Sequence, residues 1–173
     1  MFKIGDKILY PMHGAGIIER IDQIEALGEM QDYYVLKLAV GNLDVMVPIS
    51  SSEEVGIRHI VSEEFLKEVY GVLSGESSKM PKNWNRRYRE NMDLLKTGDI
   101  LNTAQVVRNL LRVDRVKKLS TGEKKMLKNA RQILESEIVL VEGKTPNEVR
   151  DKVEAEIMAL WHDEELTEEK QIY

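Results

Sequence analysis

The stretch YYVLKLAVGNLDVMVPI, residues 33–49, decides how the N-terminal part of this 173-residue chain folds. Residues 33–40 are rich in β-branched and aromatic side chains, Gly41-Asn42 is a two-residue hairpin signal, and residues 43–49 return as a second strand. Pro48 closes that strand, because proline has no N–H to donate to a ladder. Working toward the N-terminus, residues 3–10 alternate around Ile4, Ile8 and Tyr10 and stop at Pro11. His13-Gly14-Ala15-Gly16 reads as a turn, Ile17, Ile18, Ile21 and Ile24 mark a long strand, and Leu27-Gly28-Glu29 turns the chain back. Four or five short strands with tight turns within about sixty residues predict a small, strongly bent antiparallel barrel or half-barrel over residues 1–60.

Beyond residue 60 the apolar period becomes helical. Ser62 reads as an N-cap, with Phe65, Leu66, Val69, Tyr70 and Leu73 as an apolar stripe. The Ser- and Gly-rich stretch from Ser74 to Pro81 is a linker, so residues 61–80 read as a helix followed by a linker. Four helices are predicted over 81–162. The first runs from about Asn83 to Lys96 and ends at Gly98, and the second starts at Asp99 with Leu101, Ala104, Val107, Leu110 and Leu111 on one face. The third opens with the capping box Ser120-x-x-Glu123, and the fourth with Thr145-Pro146-x-Glu148, proline at the first helical position. Trp161, at the end of the fourth, reads as core or docking. The acidic segment 163–173 reads as a frayed tail. The fold class is α+β: a small antiparallel β-barrel followed by an all-α helical domain.

Composition narrows the function. Hydrophobic residues make up 42% and charged residues 32%, which predicts a packed core rather than disorder. The absence of cysteine excludes disulfides and thiolate metal sites. The first sixteen residues are too polar for a signal peptide or a membrane span, so a cytosolic protein without membrane contact is expected. The net charge of −5 is unevenly spread. Residues 79–131 hold 15 Lys and Arg against 5 Asp and Glu, a net +10 between flanks of −7 and −8. Such a local basic segment is the footprint that phosphate binding needs.

No motif asks for catalysis. Gly14-Ala15-Gly16 precedes a strand rather than opening a helix, and no phosphate-loop lysine follows; glycines needing positive φ in a hairpin explain it better. His13, His59 and His162 are far apart and suggest neither a metal site nor a nucleophile elbow. The paired carboxylates Glu53-Glu54 and Glu63-Glu64 fit helix N-termini. No metal and no cofactor is expected.

The segment Pro81-Lys82-Asn83-Trp84-Asn85-Arg86-Arg87-Tyr88-Arg89 is different: it sets a tryptophan in the first turn of a helix among basic side chains. Trp84 and Tyr88, one turn apart, can pack into the helical core with the arginines solvated. Alternatively Trp84 wedges against a base step while Arg86, Arg87 and Arg89 hold phosphates, an arrangement used in minor-groove binding. The basic character continues through Arg108, Arg112 and Arg115 at helical spacing and through Lys117, Lys118, Lys124, Lys125 and Lys128. In the N-terminal part, the strands at 33–40 and 43–49 serve either as barrel core or, at an edge, as a strand for a partner's sheet.

Several of these motifs occur together in one family. The opening FKIGDKILYPMHGAG, then YYVLKL, then DVMVP resemble the RNA-polymerase-interacting domain shared by CarD-type regulators and the transcription–repair coupling factor. Asn83-Trp84-Asn85-Arg86-Arg87-Tyr88 and the run from Ser120 to Leu134 resemble the helical part of CarD proteins specifically. The resemblance covers about residues 1–160. It implies a Tudor-like N-terminal barrel docked on the lobe of the polymerase β subunit, with Ile24, Leu43, Val45, Met46 and Val47 at the docking face. It further implies that Trp84 inserts into the minor groove beside the −10 element of promoter DNA and hinders collapse of the bubble. Arg86, Arg87 and Arg89, with Arg108, Arg112, Arg115, Lys124 and Lys125, would then hold the backbone. Where the family carries arginine at the docking face, this chain has Ile24 and Met46, which shifts that contact toward strand pairing and apolar packing.

The reading is a cytoplasmic, monomeric initiation regulator, associated with the nucleoid through RNA polymerase and stabilising the open complex. The alternative is a protein–protein adaptor on polymerase without direct DNA contact. The coupling factor itself is excluded, since 173 residues cannot house its motor and no Walker A motif occurs.

Overall fold

In the computed structural model, which describes residues 1–161, Leu27 and Gly28 both take positive φ (53° and 81°) and fold the chain back within two residues, setting Ala26 opposite Glu29. The expected acidic tail at 163–173 and His162 lie outside the described residues. The hairpin so formed joins β2 (Gly14–Ala26) to β3 (Glu29–Leu38). With β1 (Lys7–Tyr10), β4 (Asp44–Pro48) and β5 (Arg58–His59) they make an antiparallel sheet in the order β4-β3-β2-β1-β5. The Gly41-Asn42 signal marks a wider turn than two residues: Leu38 N–H donates to Leu43 C=O, and both Gly41 and Asn42 have positive φ.

The sheet is open, which corrects the expected barrel. Its edges are β4 and β5, and among the described residues no ladder joins them. β5 is only two residues long, too short to carry a closing ladder. One face of the sheet is covered by side chains instead. Ile8, Ile18, Tyr34, Leu36, Leu38, Val47 and Ile57 form its core, with Phe2, Ile49 and Val55 packed against them. A bulge at Glu19, between Ile18 and Arg20, bends β2 over this core. Gly16 is required by close approach rather than by positive φ, since a Cβ there would stand 2.4 Å from the Lys37 carbonyl oxygen. Gly14 does have positive φ, at 125°.

Four helices begin where their caps predict, whereas the helix expected from Ser62 starts only at Leu66, with Ser62 capping the turn before it. Asn83 accepts from Arg86 N–H ahead of α2 (Trp84–Lys96), and Asp99 accepts from Leu101 N–H ahead of α3 (Ile100–Val116). Ser120 caps α4 (Thr121–Glu142), and Thr145 with Glu148 forms a full capping box at α5 (Pro146–Met158). The earlier helix α1 (Leu66–Ser74) packs inside the helical core rather than standing apart, through Leu66, Val69 and Leu73. α3 is the central helix, with eleven buried residues.

Sheet and helices are joined through α4. Leu9 and Ala15, on the opposite face of the sheet, pack on Ile133. The buried Ser136 hydroxyl accepts from Ala15 N–H at 2.9 Å and donates to Ile133 C=O. Next to it the fully buried Glu137 carboxylate takes Arg58 through both oxygens, at 2.8 and 2.9 Å, and accepts from Val61 N–H. Arg58 also donates twice to Gly98 C=O. Glu137→Ala should therefore destabilise the protein by about 2–4 kcal/mol in urea unfolding. That is below the cost of breaking a wholly buried pair, because Arg58 is partly solvated.

Candidate nucleic-acid interface

The Asn83 cap starts α2 at Trp84 and so sets the indole in its first turn. Trp84 is 43% exposed. One ring face stacks on Tyr88, centroids 5.3 Å apart and planes 22° from parallel, as the i, i+4 spacing allows. Its Nε1–H donates to Ser120 Oγ at 3.1 Å. Trp84 thus packs against neighbours and remains half open to solvent, combining parts of both sequence readings.

The nine basic and aromatic residues singled out from sequence divide into two groups. Trp84, Arg86, Arg89, Arg115, Lys124 and Lys125 are exposed. Among the described residues Arg86 pairs with Glu90, one turn on, both side chains largely in solvent. Lys124 and Lys125 lie in the first turns of α4, close to the Ser120 end against which Trp84 rests. Arg115 and Lys124 line a groove of about 620 Å³ together with Lys128, Arg131 and Arg150, the acidic Asp114, Glu135 and Glu154 lying between them.

Arg87, Arg108 and Arg112 are buried, a correction to their assignment to DNA. Arg87 lies against Glu123 (Nε to Oε2 3.0 Å, Nη2 to Oε1 3.2 Å) and donates to the carbonyls of Pro81 and Lys82. Arg112 donates to Leu73 C=O near the end of α1, to Ile157 C=O near the end of α5, and to Gly75 C=O and Ser77 Oγ in the linker. A cation suits these positions because the last carbonyls of a helix lack partners and carry the negative end of its dipole. Arg108 donates to Val72 C=O and Ser78 Oγ. Burial, with Arg112 close by, pushes Arg108 down to about 10, so it stays charged at neutral pH. The linker is thereby stapled by arginine side chains, with Asn109 accepting from Ser78 N–H.

The surface expected to dock polymerase divides similarly. Ladder register puts Ile24, opposite Gln31, and Met46, opposite Val35, on one face of the sheet, where both side chains are exposed. Leu43 is exposed just before β4. Val45 and Val47 point to the other face: Val45 packs on the sheet core, and Val47 is fully buried in it, which corrects its place at the docking surface. β4 is an edge strand, with no described strand along its outer side.

Sequence reasoning took Ser120 and Glu123 only as a helix start. Their second role, seating Trp84 and Arg87, joins residues 36 positions apart and leaves no local signal. The burial of Arg108 and Arg112 did have one. Ile100, Ala104, Val106, Val107, Leu110, Leu111 and Val113 surround α3 on most sides, the pattern of a central helix whose polar residues must also be inside.

Among the described residues no group of three or more His, Asp or Glu could hold a metal ion, and no helix is long and apolar enough to cross a membrane. An open sheet locked to a helical bundle that carries exposed basic and aromatic side chains defines a two-module protein. Residues 2–61 match the CarD-like/TRCF RID domain, and residues 68–154 match the CarD C-terminal domain. The chain is also 43% identical over 151 residues to "Putative transcription factor YdeB" of Bacillus subtilis (strain 168), spanning 87% of this chain and 98% of that protein. The chain belongs to the CarD family of transcription regulators.

The two groups of arginine should separate by stability. Arg87→Ala should cost about 3–5 kcal/mol in urea unfolding, because it strands a buried carboxylate. Arg86→Ala and Arg89→Ala should each stay within about 0.5 kcal/mol of the parent.

Proposed function

We propose that this CarD-family protein regulates transcription initiation by gripping RNA polymerase and promoter DNA together and stabilising the open complex. The observation that carries the reading is Trp84: an indole 43% exposed, backed by Tyr88 and flanked by the exposed Arg86, Arg89, Lys124 and Lys125. On this reading the free part of the ring wedges against a base step in the minor groove near the −10 element, at the upstream edge of the bubble. The surrounding cations, with Arg115, hold phosphates. Unstacking a step costs a few kcal/mol, which backbone contacts offset. Arg87, Arg108 and Arg112 belong to the fold and take no part.

The polymerase β-subunit lobe is assigned to the free edge of β4 with the exposed Leu43, Ile24 and Met46. An edge strand offers unpaired backbone groups to a partner sheet, and the apolar side chains supply contact area. Neither a cofactor nor a membrane enters this reading, and one copy of the chain suffices.

Footprinting promoter DNA with RNA polymerase holoenzyme, with and without the protein, tests it. Protection at the upstream bubble edge should appear with the parent and vanish with Trp84→Ala, which keeps its fold and its polymerase binding. No protection at that edge would favour the adaptor without DNA contact. DNA affinity should fall with salt by about 0.9 log unit per phosphate contact per log unit, and Arg86→Ala should flatten that slope by about one contact.

A further inference from the structure

The Ser120 hydroxyl makes three hydrogen bonds where α2 meets α4. It accepts the Trp84 indole N–H at 3.1 Å and the Glu123 backbone N–H at 3.3 Å, and donates to Glu123 Oε1 at 3.0 Å. The same carboxylate takes Arg87, three residues after Trp84 on α2. Trp84, Ser120, Glu123 and Arg87 therefore form a closed circuit whose last link is the backbone of α2.

This circuit fixes the ring on two sides. The edge bearing Nε1 and Cζ2 faces α4: besides the bond to Ser120, a methyl group at Gly122 would lie only 3.4 Å from Cζ2. One ring face lies on Tyr88. Those contacts leave the other face and the opposite edge to account for the 43% exposure of Trp84. A surface tryptophan left to itself samples several rotamers, and ordering one on binding weakens the complex. Here the indole N–H is already satisfied inside the protein, so the ring does not have to find a partner for it in the groove.

We infer that Ser120 is the positioning residue for Trp84, holding the indole by its N–H so that the free face and edge stand out from the basic surface ready to wedge. The inference rests on the reading of Trp84 as the DNA-contacting residue. Ser120 acts through Trp84 and needs no contact with DNA itself.

The test measures the half-life of open complexes formed by RNA polymerase holoenzyme on a promoter fragment, challenged with heparin. Ser120→Gly is the main variant, because glycine keeps most of the value of an N-cap while removing the hydroxyl. It should reduce the stabilisation by about three- to ten-fold, the range of one lost hydrogen bond, and Ser120→Thr should restore it. Trp84→Phe, which leaves the cap untouched, should show a loss of its own, and adding Ser120→Gly to it should cost nothing more, since phenylalanine has no N–H to hold. In a Trp161→Phe background, time-resolved fluorescence anisotropy should show faster local motion of Trp84 in Ser120→Gly. A neutral Ser120→Gly, or an equal loss in the Trp84→Phe background, would overturn the inference and leave Ser120 a helix cap only. A neutral Trp84→Ala would instead overturn the DNA reading beneath it.

Discussion

The ion pair between Arg87 and Glu123 is the constraint on which the candidate site depends. Both side chains are almost wholly buried, so the pair must outweigh the loss of water around two charges. It does so only when several parts of the chain arrive together. Glu123 comes from the first turn of α4, Arg87 from the start of α2, and the carbonyls of Pro81 and Lys82 from the end of the linker. A partial assembly leaves a buried charge short of partners and is heavily penalised. An apolar contact of similar area would tolerate sliding; this one does not. The value of the pair therefore lies in geometry more than in net stability, and the geometry it selects puts Trp84 over Ser120.

Arg112 works by the same logic near the C-terminal end of α3. Two helices and the linker end near one guanidinium, and its planar fork ties together carbonyls that no helix can satisfy internally. This explains a basic segment of which part is invisible from outside. The +10 over residues 79–131 is a true property of the sequence, yet Arg87, Arg108 and Arg112 contribute to it from the interior. Charge counts along a chain register where cations are needed and not which side of the surface they occupy.

What could be read in the sequence follows from the range of each interaction. Caps act over three residues, so Asn83, Asp99, Ser120 and Thr145 announce their helices, and Leu27-Gly28 announces its turn for the same reason. The seat of Trp84 spans 36 positions, the Arg58–Glu137 clamp 79 and the Ala15–Ser136 bond 121, and no local pattern encodes such distances. The open sheet was illegible for a related reason. Strand periodicity describes each ribbon, whereas closure depends on whether the first and last ribbons are long enough to meet, and a two-residue β5 is not. Alternation did mark Val47 as half of a strand, but only register shows that it points inward while Met46 points out.

One helix carries both halves of the arrangement. Ser120 and Glu123, at the start of α4, hold Trp84 and α2; Ser136 and Glu137, about four turns further along, hold the sheet. At 1.5 Å per residue, sixteen residues separate these anchor points by about 24 Å of rigid helix. The linker from α1 to α2, itself part of the helical module, is pinned by Arg108 and Arg112, and the sheet is clamped to that module through Arg58 and Ala15. The spacing between the exposed edge of the sheet and the exposed ring is therefore set by a helix rather than by a tether. On the proposed reading, in which the protein engages two surfaces at once, this matters energetically. A flexible link lets the second contact form over many separations and dilutes it among them, whereas a fixed strut concentrates it at one. That advantage holds only where the partner presents its sites at the matching distance, so the rigidity of α4 confers specificity for geometry as well as strength.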